Sequence, residues 1–121
     1  MDTFDLIQAL LQASTGQDTE ELDKLEQMLI DAGIPHRRLP TQIAYYGPDG
    51  QQPEPEQPGV IRGAGVGAVC SVIAHGYGSE EGLLEISGLL TPEEAKYDAV
   101  LGYLDAENVF ARIEKHYKEN C

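Results

Sequence analysis

Two β-prone runs, Val69–His75 and Leu83–Leu89, are separated only by Gly76-Tyr77-Gly78-Ser79-Glu80-Glu81-Gly82. This arrangement constrains the fold more than any other feature of the chain. Short runs rich in Val, Ile and Leu, bounded by glycine, read as strands. A connection of a few residues carrying three glycines is consistent with a hairpin. The first run has a glycine-rich entry from Val60, and Val69, Val72 and Ile73 mark it as buried. An antiparallel pair is therefore the expected centre of the molecule.

The rest of the chain falls into place around that pair. Thr41–Gly50 is a further β-prone run closed by Pro48-Asp49-Gly50, and Ala99–Leu104 is another. Phe4, Ile7, Leu10 and Leu11 have helical spacing that ends near Ser14-Thr15-Gly16. In a second helix Asp18 or Thr19 is placed to cap, Glu20 and Glu21 suit the positive end, and Leu22, Leu25, Leu29 and Ala32 share a face with Met28 beside them. Gly33 stands where a helix ends in positive φ, and Pro35 prevents continuation. Asp23, Glu26 and Asp31 lie off the apolar stripe and form a solvated negative face. Thr91-Pro92-Glu93-Glu94 opens a short helix as a capping box with proline at the first position. Asp105 caps a last helix with Val109, Phe110, Ile113 and Tyr117 inward and Lys115 and Lys118 near its negative end.

The order α-α-β-β-β-(short α)-β-α predicts an α+β fold: a small antiparallel sheet of three to four strands packed against helices. One domain spans 1–121, with an N-terminal helical segment at 3–32 and the sheet and C-terminal helix at 41–121. The proline-rich loop QQPEPEQP occupies 51–58. A chain of 121 residues is long enough for one core, and six Tyr, two Phe and no Trp make that core aliphatic.

The net charge of -13 repels nucleic acid phosphates and anionic membrane, so direct duplex binding and membrane association are not expected. The same field attracts basic partner surfaces. The opening MDTFDLIQALLQ lacks the basic region of a signal peptide, and no apolar run approaches the roughly 20 residues of a span. Cys70 and Cys121 make no disulfide framework, so a reducing cytoplasm is expected.

The sequence offers no coherent catalytic constellation. Gly63-Ala64-Gly65-Val66-Gly67 leads into a strand rather than a helix, which defeats a dinucleotide motif, and no Gly-Lys-Ser/Thr follows. Cys70 and His75, five residues apart on one presumed strand, face opposite ways. His36, His75 and His116 are isolated, so no metal site and no cofactor are expected.

Charge segregation carries more information. Residues 57–79 contain no acid. The window holds Arg62, Gly65, Ser71, His75, Gly76, Tyr77, Gly78 and Ser79, and Arg37 and Arg38 would add charge if the fold brought them near. Glycines let successive amides approach an anion. They equally supply turns and bulges, and the two readings stay open.

Several motifs together resemble a known group. These are Val69-Cys70-Ser71-Val72-Ile73, Gly82-Leu83-Leu84-Glu85-Ile86, Gly88-Leu89-Leu90-Thr91-Pro92-Glu93-Glu94, and Gly102-Tyr103-Leu104 with Ala106-Glu107-Asn108-Val109-Phe110. Over roughly residues 22–118 the chain resembles short uncharacterised acidic proteins of bacteriophages and prophages of gut Firmicutes, apart from the 51–58 loop. No activity is known for the group, so no functional residue carries over. The resemblance implies a non-enzymatic viral accessory protein acting in the host bacterial cytoplasm against antiviral defence. The leading expectation is sequestration of a nucleotide immune signal, a cyclic nucleotide or cyclic ADP-ribose-type ligand, in the glycine-rich pocket. The alternative is an acidic, anti-CRISPR-like inhibitor that mimics nucleic acid and blocks a basic host defence protein. A phage replication regulator or scaffold is a third reading, and a homo-oligomer is expected.

Overall fold

The computed structural model describes residues 19–54, 59, 63 and 65–121. The expected first helix and Pro55–Pro58 of the proline-rich loop lie outside these residues, as does Arg62. The elements are α1 (Glu20–Asp31), β1 (Arg37–Leu39), β2 (Gln42–Tyr45), β3 (Cys70–Ile73), a 3-10 turn (Ser79–Glu81), β4 (Leu84–Ser87), α2 (Pro92–Ala95), β5 (Val100–Leu104) and α3 (Ala106–Glu119). The fold is α+β. Among the described residues the sheet has five strands in the order β1-β2-β3-β4-β5, with every neighbouring pair antiparallel.

The anticipated central pair forms, with Ser71 opposite Ser87, Val72 opposite Ile86 and Ile73 opposite Glu85. The additional strand is β1. Arg37 and Arg38 read in the sequence only as basic charge, a run of three residues is too short for any periodicity to show, and pairing with β2 makes it a strand.

Because side chains alternate across a strand, one face of the sheet collects Ile43, Tyr45, Cys70, Val72, Leu84, Ile86 and Leu104. Leu22, Leu25 and Leu29 of α1 cover that face together with Ala106, Val109 and Ile113 of α3. Helix α1 ends in the expected way. Gly33 has φ 70°. The Ile34 amide donates to the Leu29 carbonyl at 3.0 Å, so the final carbonyls find partners. Thr19 sits at the N-cap position, but its hydroxyl reaches Asp23 at 3.4 Å rather than capping a backbone amide.

Helix α2 begins with the predicted capping box. The Thr91 hydroxyl accepts from the Glu94 amide at 3.2 Å. In return the Glu94 carboxylate accepts from the Thr91 amide at 2.8 Å. Glu94 also receives both Arg112 terminal nitrogens at 2.7 Å, which ties α2 to α3. Asp105 caps α3 through the Asn108 amide at 2.8 Å. Glu21 accepts from the Ala106 amide at 2.9 Å, and Lys24 pairs with Glu107, so α1 is fastened to the start of α3. Among the described residues no helix is long and apolar enough to cross a membrane.

Candidate functional site

Among the described residues, the far face of the sheet has no helix over it. Its residues are Gln42 and Ala44 of β2, Ser71 and Ile73 of β3, and Glu85 and Ser87 of β4, and the glycine-rich segments lie against this face in two separate places. Near β2 and β3, the turn at Gly65 sits so close that a Cβ there would fall 2.9 Å from the Gln42 side-chain Nε2 and 3.1 Å from the Ser71 hydroxyl. Gln42 donates to Ser71 at 2.9 Å beneath it. Gln52 straps this turn from outside, donating to the carbonyls of Gly63 at 3.1 Å and Val66 at 2.8 Å. Ala68 continues the cover by packing on Ala44 and Tyr46.

The second place is the β3–β4 connection, which folds over β4 and docks on β5. Strand β5 carries a bulge: Leu84 pairs with Leu104, while Ile86 pairs with Leu101, so β5 has one residue too many. Gly102 and Tyr103 fall in that bulge, and Tyr103 has φ 62°. The Tyr103 amide donates to the Tyr77 carbonyl at 3.1 Å. The Tyr77 amide in turn donates to Glu85 Oε1 at 3.2 Å. Backbone meets backbone here, and glycine makes it feasible. A Cβ on Gly102 would lie 2.4 Å from the Tyr77 Cβ, and one on Gly78 would lie 2.9 Å from the Tyr103 Cα. Both tyrosine side chains remain outside the knot, Tyr77 61% exposed and Tyr103 62%.

The sequence-predicted site is thus divided. His75 is exposed just past the end of β3, and Ser79 begins the 3-10 turn. Gly76, Tyr77 and Gly78 gather at β4 and β5, whereas Gly65 and Ser71 lie over β2 and β3. Arg37 and Arg38 belong to β1, four strand spacings from β5, or roughly 19 Å at about 4.8 Å per spacing. Arg38 is also occupied, pairing with Asp23 at 2.8 Å and Glu26 at 3.3 Å. Those two acids, which sequence reasoning placed on a solvated negative face, share that guanidinium. The Tyr77 amide, expected to face an anionic ligand, is held by the chain's own Glu85. Nothing in the sequence marks Glu85 as its partner, because the contact exists only once β4 is paired with β3.

Tyr103 is the functional candidate that sequence reasoning missed. The signal available was Gly102 inside a β-prone run, which often marks a bulge. Cys70 is fully buried, and desolvation pushes its thiol up to about 12, with Arg112 acting in the opposite direction. A thiol so placed stays protonated and is a poor nucleophile. Among the described residues no group of three or more His, Cys, Asp or Glu side chains is placed to hold a metal ion. Comparison with family models, curated proteins and solved structures finds no match to this chain.

Proposed function

We propose that this chain is a non-enzymatic binding protein that acts by direct contact with a basic protein surface. In the setting its sequence resemblance implies, it would be a phage accessory protein that blocks a bacterial defence effector. The observation that carries this reading is Tyr103. A bulky residue in the left-handed region costs about 1–2 kcal/mol, and an exposed ring regains little of that through packing. Such strain is retained where a side chain is needed outside. Tyrosines that are exposed in the free protein are enriched among residues that anchor protein interfaces. From Gly76 to Glu107, moreover, the chain has eight acids and a single base, Lys96. That field favours a basic partner and speeds its encounter.

Sequestering a nucleotide at Gly76–Gly78 is supported less well. A phosphate there would meet the Glu85 carboxylate, which already takes the Tyr77 amide. Expression in bacterial hosts that each carry one defence system provides the test. Phage plating should recover in one such host, the effector should copurify, and the Tyr77→Ala/Tyr103→Gly double variant should lose both effects while staying folded. Undiminished rescue by that variant, or calorimetric binding of a cyclic dinucleotide or cyclic ADP-ribose that the Tyr77→Ala/Tyr103→Gly change abolishes, would overturn the proposal.

A further inference from the structure

A groove of ≈ 520 Å³ lies on the helical side of the molecule, between the Leu89–Pro92 connector and α3. Ligand pockets commonly fall in the range of about 300–1,000 Å³. Its apolar wall is Leu89, Leu90 and Pro92. Lys115 and His116 line the opposite wall, and the acid at its margin is Glu119.

The polar groups around this groove are held in place by the chain itself. Arg112 does not face a ligand as a free cation, because Glu94 takes it in bidentate fashion and Leu89 accepts from its Nη1 at 3.0 Å. Leu89 has φ 58°. That conformation is costly for leucine, and the Arg112 bond holds it there and so fixes the apolar wall. The Tyr45 hydroxyl lies 2.8 Å from His116 Nδ1, and the rings meet edge to face at 5.5 Å. Burial pushes the Tyr45 phenol up to about 12, so it keeps its proton. When that proton is donated to Nδ1, the imidazole carries its own hydrogen on Nε2. Lys115, one position away, makes no ion pair among the described residues.

We infer that this groove binds a small oxyanion carried on an apolar body, with Lys115 and His116 receiving the anion and Leu89, Leu90 and Pro92 the body. The site is separate from the tyrosine face and independent of the protein-binding reading. Calorimetry of the full chain with phenyl phosphate tests it, with inorganic phosphate and phenol as the two halves of the probe. Phenyl phosphate should bind about tenfold or more tightly than either half, because both walls are then engaged. Benzoate shows which anion is preferred: equal affinity assigns carboxylates as well, and weaker affinity assigns phosphate. Lys115→Ala should lower affinity about tenfold, and Glu119→Gln, which removes an opposing charge, should raise it. Both residues are exposed, so neither change threatens the fold. Tyr77→Ala/Tyr103→Gly should leave binding unchanged. No binding of phenyl phosphate at millimolar concentration, or equal affinity in Lys115→Ala and Glu119→Gln, would overturn the inference.

Discussion

At the residue scale, Gly102 and Tyr103 are adjacent positions with opposite requirements. Gly102 needs the absence of a side chain, since a Cβ would lie 2.5 Å from the Tyr77 carbonyl oxygen as well as against its Cβ. Gly102→Ala must lift the β3–β4 connection off β5, and we expect a loss of about 2 kcal/mol, in the range for overpacked sites. At Tyr103 the backbone wants glycine and only the ring argues against it. Relief of about 1–2 kcal/mol of left-handed strain exceeds the entropic cost of glycine, about 0.5–1 kcal/mol. Tyr103→Gly is therefore expected to be slightly more stable than the parent. Urea titrations of the two variants should move the midpoint in opposite directions, and a clear loss of stability in Tyr103→Gly would show that the ring packs after all.

At the scale of elements, α2 is a helix of four residues that could not persist alone. Its capping box gives it a start, and the Arg112–Glu94 pair anchors it to α3. Arg112 holds the Glu94 carboxyl down to about 2, and the Thr91 amide adds to this. A carboxyl held below its ordinary 4.5 contributes stability that is present in full above that value and disappears as pH falls toward 2. Acid titration of the fold, followed by circular dichroism, should show this loss in the parent and a smaller one in Glu94→Gln. At neutral pH the variant should be less stable by about 1 kcal/mol, the contribution of a charge-assisted hydrogen bond at a partly exposed site. Unchanged acid behaviour in Glu94→Gln would mean that the pair contributes nothing to the fold.

At the scale of the whole molecule, a net charge of -13 on 121 residues works against compactness. Added salt screens that repulsion between charges more than about 8 Å apart at physiological ionic strength. Raising sodium chloride from about 10 mM to about 150 mM should accordingly raise the melting temperature by a few degrees, while weakening any complex with a basic partner. Scanning calorimetry checks the first part, and a melting temperature that falls with salt would mean that the ion pairs outweigh the repulsion.

Local chemistry is what the sequence by itself determined. The Thr91–Glu94 capping box, the Asp105 cap, the positive φ at Gly33, the inward faces of α1 and α3, and the Val69–His75 and Leu83–Leu89 pairing all depend on neighbours within a turn or a hairpin. Each could be read from the residues, and so could the α+β class. The strand status of Arg37–Leu39 could not, because three residues have no period and only β2 makes them a strand. Nor could the partners of the charged groups. Arg38 settles on Asp23 and Glu26, Glu85 on Tyr77, and Arg112 on Glu94, across separations that only a paired sheet and packed helices close. The glycine-rich window shows the difference most clearly. Its composition permits either an anion cradle or a close backbone approach, since both need only the absence of a Cβ. Tertiary structure chose the second at Gly65 and Gly78, by placing another part of the chain where a side chain would have been.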